Sequence, residues 1–159
     1  MHSASFGITN AKQFLGKLHD DQKDFIASHC LSARHALNAI ITAHHLHEWV
    51  WREWLQTRHD LRKEWGVNCK EDFHKYLSGD QLCPALEDAR QITNGTKHFK
   101  NKIETGRHQG AFQRGVFQDG AFDVSYLWID RNGKQQRAED FIDELVTFWD
   151  RFFAQYKVV

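Results

Sequence analysis

The sequence has almost no proline, few cysteines, no surplus of either charge and no long apolar run. Each shortage excludes something. The lone proline, Pro84, stands where the first turn of a helix tolerates it. No proline-rich linker, repeat or low-complexity tract divides the 159 residues, so a single domain over 1–159 is expected. The three cysteines, Cys30, Cys69 and Cys83, are odd in number and form no CxxC pair. They match neither zinc-type spacing nor a disulfide framework, and read as reduced thiols of a cytoplasmic protein. Cys83, at a helix entry beside Pro84, is expected to be a small buried residue rather than a nucleophile.

Basic and acidic side chains number 21 each. That balance argues against coating long nucleic acid by charge alone and leaves room only for a local basic patch. It also favours self-association somewhat, so a homodimer is among the expected partners. The N-terminal "MHSASFGITNAKQFLGKLHDD" lacks the basic start and apolar stretch of a signal peptide. No apolar run of about 18 residues is present, and no membrane partner is expected.

What the chain does have is 41% hydrophobic residues, 13% aromatics and eleven histidines. The first two figures predict an ordered core. Imidazoles titrate near neutrality and ligate metals, so the histidines are the first place to look for chemistry.

Thr9 or Asn10 caps a first helix to about residue 29, and Ser32 opens a longer one to about Arg58. The apolar surface of the second, through Ala36, Ile40, Ala43, Val50, Trp54 and Leu55, is too broad for an outer helix and predicts a central one. Residues 59–79 predict one or two short helices, broken by "GVN" and "SGD". Pro84 starts a helix to about Phe99. Glycine-punctuated, aromatic-rich sequence follows, with Asn132-Gly133 as a hairpin signal. Strands are expected near 110–118, 121–130 and 134–137, then a last helix over 138–156. The fold class is mainly α: a bundle of four to five helices (9–104), a small antiparallel β-hairpin or meander (109–137), and a C-terminal helix packing on the bundle. The aromatic meander is expected to pack on the core, although an exposed sheet that stacks bases or a dimer interface would use the same residues.

Two constellations stand out. In "EDARQITNGTKH", helical spacing puts Glu87, Arg90 or Gln91, Asn94 and His98 on one stripe with Lys97 beside it. A carboxylate, a guanidinium, an amide and an imidazole together bind phosphate and move protons. Asn94-Gly95 would equally end the helix, because both residues favour the left-handed cap. In "AHHLHEWVWREW", His44 and His47 fall on apolar stripes next to Glu48 and need partners, which the first stripe would supply through Asn94, His98 or Glu87. The spacing of His44, His47, Glu48 and His98 is neither HExxH nor paired Glu-x-x-His, so no metal and no cofactor is expected.

These residues resemble the motif of the HEPN superfamily, small helical bundles found in toxins, phage-defence proteins and RNA-processing enzymes. That motif is an arginine, a polar residue and a following histidine on a late helix, often with an acidic residue upstream. Glu87, Arg90, Asn94 and His98 supply these types, and the resembling region covers roughly residues 9–104 and the last helix. The resemblance implies RNA as partner and a metal-independent ribonuclease. His98 would be the acid–base group, with Arg90 or Lys97 stabilising the phosphorane charge. Asn94 would position the phosphate or 2′-hydroxyl, and His44 or His47 would orient His98. Seven residues separate Arg90 from His98, and Thr93 stands where a second arginine is expected before Asn94, so a degenerate, non-catalytic relative is equally implied. The "HxHEW … NGTKH" layout is also similar to small bacterial and phage proteins of unassigned function. The competing expectation is a non-enzymatic interaction or oligomerisation protein in which the His, Asn and Arg side chains form a structural polar core.

Overall fold

The structure, a computed structural model, describes residues 6–98, 103–110 and 125–158, and of His98 the backbone alone. The described residues form six α-helices with a three-stranded antiparallel sheet before the last, so the expected mainly α class holds.

Helix α1 (Ala11–Ala27) starts as its sequence predicts. Asn10 Oδ1 accepts from the Gln13 amide at 2.8 Å, and Gln13 Oε1 accepts from Thr9 N at 2.7 Å. These bonds satisfy donors that a helix start leaves orphaned. Ser32 caps α2 (Ala33–Val50) in the same way through the His35 amide at 3.3 Å. Helix α2 is the central element, with Ala39, Ala43, Leu46 and Val50 fully buried between α1, α5 and α6.

It does not run on to Arg58 as a regular helix. Trp51–Leu55 forms a π-helical turn closed by the Gln56 amide on the Trp51 carbonyl at 2.8 Å. The wider turn places consecutive Trp54 and Leu55 in the core.

Residues 59–79 resolve into two short helices, α3 (His59–Trp65) and α4 (Lys70–Leu77). Gly66 ends α3 in the left-handed conformation at φ 66°, a region where only glycine is free of strain. Trp65 stacks on Tyr76 at 4.9 Å and meets Tyr156 edge-on at 5.2 Å, which ties both short helices to α6 (Ala138–Tyr156), the last helix.

Helix α5 (Ala85–His98) continues unbroken through Asn94 and Gly95. The alternative that this dipeptide caps the helix is therefore overturned. Gly95 is buried, and tertiary packing outweighs the roughly 1 kcal/mol that an interior glycine costs.

The sheet order is β1-β2-β3, formed by Thr105–His108, Tyr126–Arg131 and Lys134–Arg137. The Asn132-Gly133 hairpin has both residues at positive φ, 57° and 80°, as a two-residue primed turn requires. Strand β1 has no counterpart among the expected strands. The strand expected near 110–118 falls almost wholly outside the described residues, as do Phe112, Phe117 and Phe122. Leu127 and Ile129 point into the core, so the described part of the meander packs inward. Arg131 fastens β2 to the bundle, pairing with Asp88 of α5 at 2.7 Å and with Glu144 of α6 at 2.9 Å.

Gly106 of β1 lies under the Trp128 indole, and a Cβ at that position would collide with the ring. Gly106→Ala is expected to lower stability by about 1–3 kcal/mol in urea unfolding, the usual cost of overpacking. Unchanged stability would contradict this packing.

Candidate functional site

The site lies where α2, α4 and α5 meet. His44 and His47, three residues apart on α2, face the same way, and α4 sets His74 against them. The three rings form a near-equilateral triangle, with centroids 5.0 Å (His44–His47), 5.3 Å (His44–His74) and 4.9 Å (His47–His74) apart. Their exposures are only 7%, 5% and 5%. His45, half-buried, adds a fourth ring 4.9 Å from His44.

Hydrogen bonding fixes two of the tautomers. His47 Nδ1 donates to the His44 carbonyl, and His74 Nε2 donates to the Leu86 carbonyl at 3.3 Å. A carbonyl only accepts, so the other nitrogen of each ring is left with its lone pair. His44 Nδ1 is buried with no hydrogen-bond partner among the described residues.

Burial holds all three imidazoles neutral, because a charged ring there would lose its hydration. It pushes His44 down to about 2, with His47, His45, His74 and Arg90 adding repulsion. Burial likewise takes His47 down to about 4, against a partial offset from the His44 carbonyl. The His74 pKa is lowered, again chiefly by burial.

Helix α5 borders the triad. Arg90 grips Glu87 with two bonds, Nε at 2.8 Å and Nη2 at 2.5 Å, and Gln91 donates to the same carboxylate at 3.0 Å. The Arg90 bond is the main reason the Glu87 carboxyl sits below the usual range. This pair remains 41% and 36% exposed, so it stands at the edge of the sealed triad. Asn94, half-buried, and Lys97, exposed, continue the same face toward His98, whose side chain lies outside the described residues.

The expected residues are thus partly brought together. His44 lies within electrostatic reach of Arg90, and His74 within reach of both Arg90 and Glu87. Among the described residues, however, no hydrogen bond links the α2 histidines to Asn94 or Glu87. Glu48 turns outward to Lys70 of α4 at 3.2 Å.

The residue that sequence reasoning missed is His74. Its signal lies in "EDFHKYL", where it follows Phe73 and precedes Leu77 by three, an apolar setting like that of His44. Cys83 is 2% exposed and burial pushes its thiol up to about 11, the behaviour of an inert buried cysteine.

Among the described residues, no group of three or more His, Cys, Asp or Glu side chains is placed to hold a metal ion. No helix among them is long and apolar enough to cross a membrane. The arrangement offers a half-exposed guanidinium and an exposed ammonium on one helix face, next to buried neutral bases. No protein-family model, no curated protein and no solved structure matches the chain, so the reading of the site rests on this geometry and chemistry.

Proposed function

We propose that the chain is an RNA-associated, HEPN-like helical-bundle protein that cleaves RNA without a metal on the α5 face. The observation that supports this reading is the unbroken course of α5 through Asn94-Gly95, which keeps Arg90, Asn94 and Lys97 on one accessible helix face. In the proposed reaction His98 takes the proton from a 2′-hydroxyl, whose oxygen then attacks the adjacent phosphorus. Arg90 and Lys97 stabilise the charge that develops on the phosphorane. The bond to the 5′-oxygen breaks, that oxygen takes a proton from water, and the products are a 2′,3′-cyclic phosphate and a 5′-hydroxyl. Glu87 holds the Arg90 guanidinium in place through Nε and Nη2.

A second reading has its own observation. Two imidazoles of the triad donate to backbone carbonyls and all three are sealed from solvent, as a polar core that fixes helix register would be. The chain would then be an interaction protein, with a second copy of itself as one partner.

Cleavage of a mixed RNA in excess EDTA separates the two. Wild type is expected to cleave, and His98→Ala to lose about 100-fold or more of the rate, the usual contribution of a general base. No cleavage by wild type favours the register-fixing core, and full activity in His98→Ala contradicts the role given to His98.

A further inference from the structure

Three buried imidazoles in mutual contact, from two helices far apart in sequence, make the α2–α4 contact dependent on their being neutral. The charged and titratable groups within reach of the triad are His45 and Glu48 of α2 and Glu87 and Arg90 of α5. Both carboxylates are already engaged, Glu87 by Arg90 and Glu48 by Lys70 of α4. They favour a proton on His47 and His74 only in part, and burial outweighs them. A proton arriving on the triad meets the charge of Arg90, and a second proton would sit on a ring about 5 Å from the first, where like charges sealed from water repel strongly.

Of the elements around the triad, α4 is the least anchored. It is eight residues long and has three buried residues, one of which is His74 itself. Helix α2 is eighteen residues long with nine buried. A short helix with little buried surface opens at lower cost than the global fold.

We propose that His44, His47 and His74 form an acid-released latch: as pH falls below neutrality, α4 separates from α2 and α5 before the rest of the bundle unfolds. Opening hydrates all three rings and returns them toward ordinary proton affinity. His44 and His47, on release, each multiply the opening constant by about 30-fold at pH about 5, for an ordinary pKa of about 6.5, and His74 adds in the same direction. Because the Leu86 carbonyl that holds His74 adjoins Glu87, release of α4 also uncovers the inner side of the Glu87–Arg90 pair. The latch does not depend on the RNA reading.

The test is backbone amide exchange of the full chain at pH about 7.5 and about 5, corrected for intrinsic rates. Protection of α4 is expected to fall by about 30-fold or more and, at both pH values, to stay clearly below that of α1 and α6, whose exchange needs global unfolding. His74→Gln, which keeps a donor for the Leu86 carbonyl but does not titrate, should show a smaller fall in α4, and His44→Leu tests the same from the other helix. Protection of α4 that is independent of pH, or that equals that of α1 and α6 at pH about 5, overturns the latch. So does a wild-type response in both variants.

Discussion

Acidification from about pH 7.5 to about pH 5 is expected to remove about 4 kcal/mol of folding stability through His44 and His47 alone. Both rings have an ordinary pKa of 6.5 when unfolded and fall to about 2 and about 4 in the fold. Between those values and 6.5 the unfolded chain binds protons that the native chain refuses. Stability therefore rises with pH across this window, is complete above about 7, and is lost as pH falls. Each histidine contributes about 2 kcal/mol at pH 5, and His74 adds in the same direction. Glu87 is held below the usual carboxylate range, mainly by Arg90. Urea unfolding at the two pH values reads the effect directly, and His44→Leu should remove about 2 kcal/mol of it. Equal stability at both would mean that the triad is not buried as described. For a domain of ordinary stability, a loss of this size is a large fraction of the whole.

The second large effect is expected from Trp149→Ala, at about 3–5 kcal/mol of stability. Trp149 is fully buried on α6, and its Nε1 donates to the Ala43 carbonyl of α2 at 2.9 Å. It thus joins the final helix to the central one by area and by direction at once, one residue before His44. Its ring also meets Phe148, Phe152 and Phe153 of its own helix. Truncation leaves a cavity that these neighbours fill only in part. Thermal or urea unfolding checks the figure, and a fall of under about 1 kcal/mol would contradict the central place given to this side chain.

Much of this fold is legible from residue types with strong local preferences. Asn10 and Ser32 are caps, Asn132-Gly133 turns a hairpin, and the apolar stripe of α6 ends where its helix does. What is not legible depends on tertiary partners. β1, "TGRH", has no apolar alternation; it pairs through backbone and by the fit of Gly106 to Trp128. The π-turn, where Trp54 and Leu55 are both buried, carries no glycine or proline to announce it. Whether Asn94-Gly95 ends a helix is undecidable locally, because its own preferences point to a cap and only burial of Gly95 decides otherwise. For the site, the burial of His44 and His47 is readable from their stripes. Their partner is not, since His74 reaches them only through the packing of α4.

In the proposed function the exposed face of α5 is the surface that meets RNA, whether or not cleavage follows. Its most direct test is the affinity of a short fluorescein-labelled single-stranded RNA for wild type and for the Arg90→Gln/Lys97→Gln double variant, over a series of salt concentrations. Wild type is expected to bind, and the double variant to bind about 10-fold or more weakly. The salt slope of the variant should be shallower by about 0.7 for each phosphate it no longer neutralises. An RNA affinity and salt slope that the double variant leaves unchanged, or no binding by the wild type at low salt, would contradict the proposal.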